Sequence, residues 1–303
     1  MPVYRGRFAP SPTGPLHLGS LLAAVASYVD ARAHQGTWLV RIEDLDRPRE
    51  VPGAADEILR TLEAFGLAWD EPILYQRHRA PAYQDALDRL ARGGSVFHCG
   101  CSRAEIARAG RQGLEGPIYP GTCRDGLPAG RAPRSARFRV ASEPVGFNDR
   151  IQGPQRQDVA GAVGDVVLKR ADGPHAYQLA VVVDDAWQGI THVVRGADLL
   201  QSTPRQILLQ RALGVSQPAY AHIPLILDAH GRKLSKSLDA APVDRRDPLP
   251  SLRLVWSLLG QTAPPPDLDL ASFWGWTIGQ WRIEDVPATP ELEPCRDSSG
   301  LRV

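Results

Sequence analysis

Apolar and polar positions fall into two alternating periods along the first part of this 303-residue chain. Residues 3–9 (VYRGRFA) read as a short strand, PSPTGP breaks the chain, and LHLGSLLAAVASYVDARAHQG has the spacing of a helix that stops at Gly36. TWLVRIEDLD (37–46) returns to a strand with Glu43 and Asp44 at its carboxyl end, so the first 45 residues predict a βαβ unit. Parallel sheets bind ligands beyond those carboxyl ends. Residues 54–65 and 80–92 carry helical periodicity, with Ile58, Leu59, Leu62 and Phe65 on one face and Tyr83, Leu87 and Leu90 on the other segment, and these are expected in the core.

From His98 to about Gly130 the pattern dissolves into cysteine, glycine and proline, as in an inserted module held by something besides apolar packing. It resumes with apolar runs at 136–140, 165–170, 177–187 and 190–196, all expected as buried strands, and with a helix at 203–214. Asp184 and Asp185 then fall at the end of a buried strand, with a structural or RNA-facing role expected rather than magnesium binding. HIPLILDAHGRKLSKS (222–237) adds a strand and a polar loop, and a helical tail follows with Trp274, Trp276 and Trp281, expected as core. This is an α/β chain divided into residues 1–97, an insertion at 98–135, a second half at 136–238 and a small helical subdomain at 239–303.

Composition excludes disorder as the main business: 43% of the residues are hydrophobic and 23% charged. No run approaches the roughly 20 apolar residues that span a bilayer, and MPVYRGRFAP lacks the apolar core of a signal peptide, so a cytoplasmic protein without a membrane partner is expected. With 35 basic residues against 34 acidic, net charge advertises no polyanion, although a local basic face could still bind RNA. The lysines are only Lys169, Lys233 and Lys236, so the last two, close together in one loop, stand out.

Three places carry chemistry. In RFAPSPTGPLHLGS (7–20) a stiff proline turn delivers His17 and Gly19 to a helix start, where unpaired N–H groups favour phosphate and a glycine lets a nucleotide approach closely. In KLSKS (233–237), Lys233 and Lys236 project from a glycine-preceded loop, suited to closing on a phosphorus centre. Cys99-x-Cys101 and Cys123 cluster as zinc ligands do, and adjacent His98 is an ordinary candidate for the fourth position.

The segments 7–20 and 233–237 resemble the HIGH and KMSKS signatures of class I aminoacyl-tRNA synthetases, with Ser20 and Leu234 departing from the motif names. RIEDLDRPR (41–49), the stretch 177–206 and HIPLILDAHGRKLSKS resemble the glutamyl branch, so the likeness runs from about residue 5 to 238. The resemblance implies a Rossmann-like class I synthetase catalytic domain with a zinc-binding insertion and a short helical C-terminal subdomain. It implies that glutamate attacks the α-phosphorus of ATP, with magnesium and Lys236 offsetting charge, by positioning rather than by a protein nucleophile. His17, Gly19 and Lys236 would bind ATP, and together with Lys233 they form the catalytic set. Arg7, Phe8, Ala9, Pro10, Ser11, Glu43, Tyr177 and Arg195 would bind glutamate. Their chemistry suits it: arginine forks for two carboxylates, an acid and a hydroxyl for the ammonium. The resemblance makes Tyr119 the fourth zinc ligand beside Cys99, Cys101 and Cys123.

Only 66 residues follow Ser237, too few for an anticodon-reading domain. The chain therefore resembles the truncated paralogues of the glutamyl enzymes, whose members attach glutamate to queuosine at the wobble position of tRNA(Asp). A monomer meeting the anticodon stem-loop with its catalytic face is the expectation. The alternatives are a minimal enzyme charging the 3′ end of tRNA(Glu), a small-molecule nucleotidyltransferase, or a non-catalytic zinc-containing RNA-binding paralogue. The sequence assigns no role to Cys295.

Overall fold

The computed structural model describes residues 3–227 and 241–292. Its first unit is the expected βαβ: β1 (Arg5–Phe8), α1 (Leu18–Ala33) and β2 (Thr37–Ile42), with β1 and β2 parallel in the register Arg5 to Thr37 through Phe8 to Val40. Gly36 makes the return from α1 possible, because a Cβ there would lie 2.5 Å from the Tyr4 carbonyl oxygen. α2 (Ala54–Ala64), β3 (Leu74–Tyr75) and α3 (Ala80–Arg92) follow, and β3 adds in parallel to β2.

The insertion is framed by β4 (Val96–Cys99), which pairs antiparallel with a later strand from 135. Between them lie α4 (Arg103–Ala109), entered through a capping box of Ser102 and Glu105, and the two-residue strands β5 (Gln112–Gly113) and β6 (Gly116–Pro117). β7 (Ser135–Phe138), β8 (Val145–Asp149), β9 (Gly153–Gln157), α5 (Val159–Ala162) and β10 (Val166–Lys169) come next. β8 and β9 form an antiparallel hairpin turned at Gly153, whose φ of +70° suits glycine, and no apolar alternation had announced it.

The run 177–187, expected as a strand, is instead α6 (Tyr177–Trp187). A short continuous apolar run does not distinguish a buried strand from a buried helix. A strand would send Asp184 and Asp185 to opposite faces of a sheet, whereas the helix turns both inward. β11 (His192–Gly196), α7 (Thr203–Leu213), β12 (Ala219–Ile223) and β13 (Leu225–Ile226) complete the second half. β11 and β12 are parallel, and Thr191 N–H donates to the Arg5 carbonyl, laying β11 beside β1.

α8 (Pro248–Leu258), α9 (Leu270–Gln280) and β14 (Glu291–Leu292) close the described chain. Leu252, Val255, Trp256, Phe273, Trp274 and Trp281 share one apolar core with Leu21, Leu22 and Val25 of α1, as expected of Trp274 and Trp281. A second core lies under α3, α6 and α7, and a third, built on Cys99, Cys101, Tyr119 and Cys123, holds the insertion. No helix among the described residues is long and apolar enough to cross a membrane.

Candidate functional site

The loops leaving β1 and β2 are tied together: Glu43 N–H donates to the Pro10 carbonyl and Val51 N–H to that of Pro12. Phe8, Pro10, Ser11, His17 and Gly19 line one side of a cleft of about 600 Å³, and Gly196, Asp198, Ile223 and Leu225 line the other. It opens at the carboxyl ends of parallel strands from both halves of the fold, where an α/β sheet presents its loops.

His17 caps α1, its Nδ1 accepting from Ser20 N–H at 3.3 Å, while its Nε2 lies 3.0 Å from Ser20 Oγ. Burial lowers the imidazole below its usual range, so the ring is neutral near pH 7 and the accepting Nδ1 leaves the proton on Nε2. A Cβ on Gly19 would come to 3.3 Å from this ring, and the glycine keeps the helix start open. Lys233 and Lys236 lie outside the described residues, but the flanking chain is placed. Leu225 and Ile226 line the cleft, and Pro242 bridges to His17 with Val243 N–H donating to the Leu16 carbonyl.

Deeper in, four residues chosen for glutamate converge. Tyr177, at the first position of α6, has its phenol pushed up to about 12 by burial and by Glu43, and it feels Arg195, Arg7 and Asp185 as well. Arg7 is 3% exposed and donates through Nε to Asp185 at 3.1 Å. Glu43 accepts from Arg41 Nη2 at 3.2 Å, and burial raises its carboxyl although Arg41 and Arg7 oppose that. Phe8 packs in the core, and Ala9 is partly buried at the same strand end.

Arg195 is held by three side-chain acceptors, His222 Nε2 at 3.0 Å, Thr203 Oγ1 at 2.8 Å and Gln206 Oε1 at 2.9 Å, and by the Leu199 carbonyl at 3.5 Å. Behind it, Asp149 Oδ2 accepts from His222 Nδ1 at 2.6 Å. Burial pulls His222 down to about 4, so its neutral ring keeps one nitrogen protonated toward Asp149 and the other free to accept from Arg195. With Nε and Nη2 used, Arg195 Nη1 is a buried donor without a partner among the described residues.

Sequence reasoning missed these supports. Arg41, fully buried, donates to Asp185 at 2.8 Å and to Gln188 Oε1 at 2.9 Å. Burial tends to raise the Asp185 carboxyl, but Arg7 and Arg41 hold it below its ordinary range. Asp184 accepts from Tyr83 Oη at 2.7 Å and Gln76 Nε2 at 2.9 Å, so both acids of α6 have structural work. The available signal was the placing of charges within apolar runs, since an unpaired buried charge is too costly to keep. Their partners could not be read from order along the chain.

In the insertion, the sulfurs of Cys99, Cys101 and Cys123 lie within 4.8 Å of one another, Cys101 and Cys123 at 3.7 Å. Burial opposes ionisation of Cys99, but Tyr119, the Cys101 N–H and Arg137 outweigh it and bring this thiol down to about 7. Three converging thiols on a short loop fit a thiophilic divalent ion. Tyr119 Oη sits 4.0 Å from Cys101 Sγ and accepts from Cys123 N–H at 2.6 Å. His98 alternates away on β4 and is exposed, lining a different cleft with Lys169, so the chemical preference for it does not hold.

A family model described as tRNA synthetases class I (E and Q), catalytic domain, matches residues 4–247. The Glutamyl-Q tRNA(Asp) synthetase of Chromobacterium violaceum is 54% identical over 288 residues, covering 95% of this chain and 97% of that one. That of Burkholderia cenocepacia is 60% identical over 268 residues, covering 86% and 90%. Among solved structures, a glutamate tRNA ligase from Elizabethkingia meningosepticum in complex with its amino acid superposes with a TM-score of 0.79 at 28% identity. The match covers 96% of this chain and 66% of that protein.

Proposed function

Because this chain belongs to the family of class I tRNA synthetases (E and Q), we propose that it activates L-glutamate with ATP and passes the glutamyl group to queuosine at the wobble position of tRNA(Asp). Relatives named for that reaction, at 54% and 60% identity and near full length, support the choice of acceptor. The observation that carries the amino-acid half is the convergence of Arg7, Glu43, Tyr177 and Arg195 around one spot beside the His17 cleft.

In this reading Arg195 Nη1 and Arg7 take the glutamate carboxylates, Glu43 and the Tyr177 hydroxyl take the ammonium, and Phe8, Ala9, Pro10 and Ser11 shape the wall. The α-carboxylate is thereby held for in-line attack on the α-phosphorus of magnesium-bound ATP, with pyrophosphate as leaving group. His17 donates from Nε2 to a phosphate oxygen, Gly19 leaves room for the nucleotide, and Lys233 and Lys236 offset the charge that develops. The acyl carbon of the mixed anhydride is then attacked by a hydroxyl of the queuosine cyclopentene diol, and AMP leaves. Zinc held by Cys99, Cys101, Cys123 and Tyr119 would serve structure, since these residues form the small core that holds the insertion. The reaction belongs in the cytoplasm, where its tRNA resides.

The test supplies radiolabelled glutamate, ATP, magnesium and bulk tRNA from cells able or unable to make queuosine. Label on tRNA(Asp) only when queuosine is present is the expected result. Queuosine-independent label on the 3′ end of tRNA(Glu) would replace this reading with a minimal charging enzyme.

A further inference from the structure

A second cleft, of about 860 Å³, lies between the insertion and the catalytic body and shares no lining residue with the His17 cleft. Four arginines line it, Arg103 and Arg134 from the insertion, Arg137 from β7 and Arg170 just after β10, against two carboxylates, Asp46 and Asp172. Asp172 is spent on Arg170 at 2.6 Å, and Asp46 on Arg49 at 2.5 Å with Arg170 further off at 3.5 Å. Arg134 is exposed and its side chain makes no hydrogen bond or ion pair among the described residues. Arg103 is exposed and reaches Asp172 only through space.

Arg137 is the informative member. It is 8% exposed, lies 4.3 Å above the Tyr119 ring, donates from Nη1 to the Asp165 carbonyl and acts on the Cys99 thiol, and its buried Nε has no hydrogen-bond partner among the described residues. A buried guanidinium with an unsatisfied donor, on the wall of a cleft where two more arginines lack carboxylates, calls for an anion with several acceptor oxygens. The cleft exceeds what one phosphate or one carboxylate fills, which leaves room for an anion that repeats. Position selects its source: Ala176, immediately before Tyr177, and Asp46, three residues past Glu43, are on its wall, so it adjoins the glutamate residues from a side other than the ATP cleft.

We propose that this cleft seats the sugar-phosphate backbone of the acceptor RNA, with Arg103, Arg134 and Arg137 taking phosphates so that the modified base reaches the activated glutamate. The proposal rests on the RNA-acylating reading above and adds to it where the strand lies. Arginine forks match phosphate oxygens in pairs and carry no sequence preference, so they set register while the pocket beyond selects the base.

The test uses full-length protein carrying Arg103→Ala and Arg134→Ala together, both surface positions, with Arg134→Lys as the conservative companion. Binding of an anticodon stem-loop RNA with plain guanosine at the wobble position is measured against salt, beside glutamate-dependent pyrophosphate exchange. The double variant should bind at least about tenfold more weakly, with a log–log salt slope shallower by about 1.4 to 1.8, while exchange stays at the wild-type rate. Arg134→Lys should keep most of the affinity. Unchanged affinity and slope, or a parallel loss of exchange, would overturn the proposal. The two readings fail separately: RNA binding lost in the variant, with no queuosine-dependent transfer by wild type, keeps the cleft and discards the acceptor. Equal transfer by wild type and variant does the reverse.

Discussion

At the scale of single residues, Arg195, proposed to take a glutamate carboxylate, is fixed by its neighbours. Three side-chain acceptors hold its guanidinium and leave Nη1 as a buried donor, and one of those acceptors, His222, is itself fixed by Asp149. Arg195→Ala should raise the glutamate KM by about ten- to hundredfold, the loss of a charge-assisted hydrogen bond, and leave the ATP KM nearly unchanged. Steady-state pyrophosphate exchange measures both, and an equal effect on the two would discard the carboxylate assignment. His222→Ala should do the same to a smaller degree with kcat largely kept, whereas a purely structural role would lower both parameters through loss of active protein. The same histidine has a pH signature. Its folded value of about 4 lies below the ordinary imidazole value of 6.5, so the unfolded chain binds the proton first. Its contribution is complete above pH 6.5 and is lost as pH falls from 6.5 toward 4, on the order of 3 kcal/mol. Denaturant titrations over that window should show a steeper decline for wild type than for His222→Gln.

At the scale of elements, one carboxylate does for the ends of several segments what the apolar core does for their middles. Asp30 of α1, fully buried, accepts from the Tyr4 hydroxyl before β1, from both terminal nitrogens of Arg150 between β8 and β9, and from Trp281 Nε1 after α9. Arg150 keeps the Asp30 carboxyl below its ordinary range even though burial raises it. Removing the acid strands a partly buried guanidinium, so Asp30→Ala should cost about 3 to 5 kcal/mol in equilibrium unfolding, and Trp281→Phe about 1 kcal/mol. The insertion depends on a different device, since its own core is small. Purified protein should carry about one zinc per chain, and Cys123→Ser should lose the metal and loosen residues 99–135 to proteolysis while glutamate-dependent exchange persists.

At the scale of the whole molecule, the meeting of the residues proposed for glutamate beside the His17 cleft follows from topology. β1 and β2 bring Arg7 and Glu43 to one end of the sheet, and β11 and α6 bring Arg195 and Tyr177 from the second half to the same place. Local spacing made the first half legible: the glycine at 36, the 3.6-residue period of α1 and the acid after β2 each act within a few residues of their cause. The second half was legible in part. The run at 177–187 is apolar throughout, and whether such a run is strand or helix is decided by what packs on it, here Arg7 and Arg41 on one acid and Tyr83 on the other.

The sequence by itself determined the βαβ start and the cysteine insertion, because spacing and residue type act locally and are written in order, whereas the set from Arg7 to Arg195 came from the resemblance to the glutamyl branch. Tertiary structure alone decided that 177–187 is a helix, that Tyr119 rather than His98 faces the thiols, and that Asp149 and His222 stand behind Arg195. It also decided that Arg103, Arg134 and Arg137 share one cleft. Each of those is a pairing across many residues of chain. Burial makes an unpaired charge or an idle hydrogen-bonding group costly, and only the assembled fold shows which partner meets that cost.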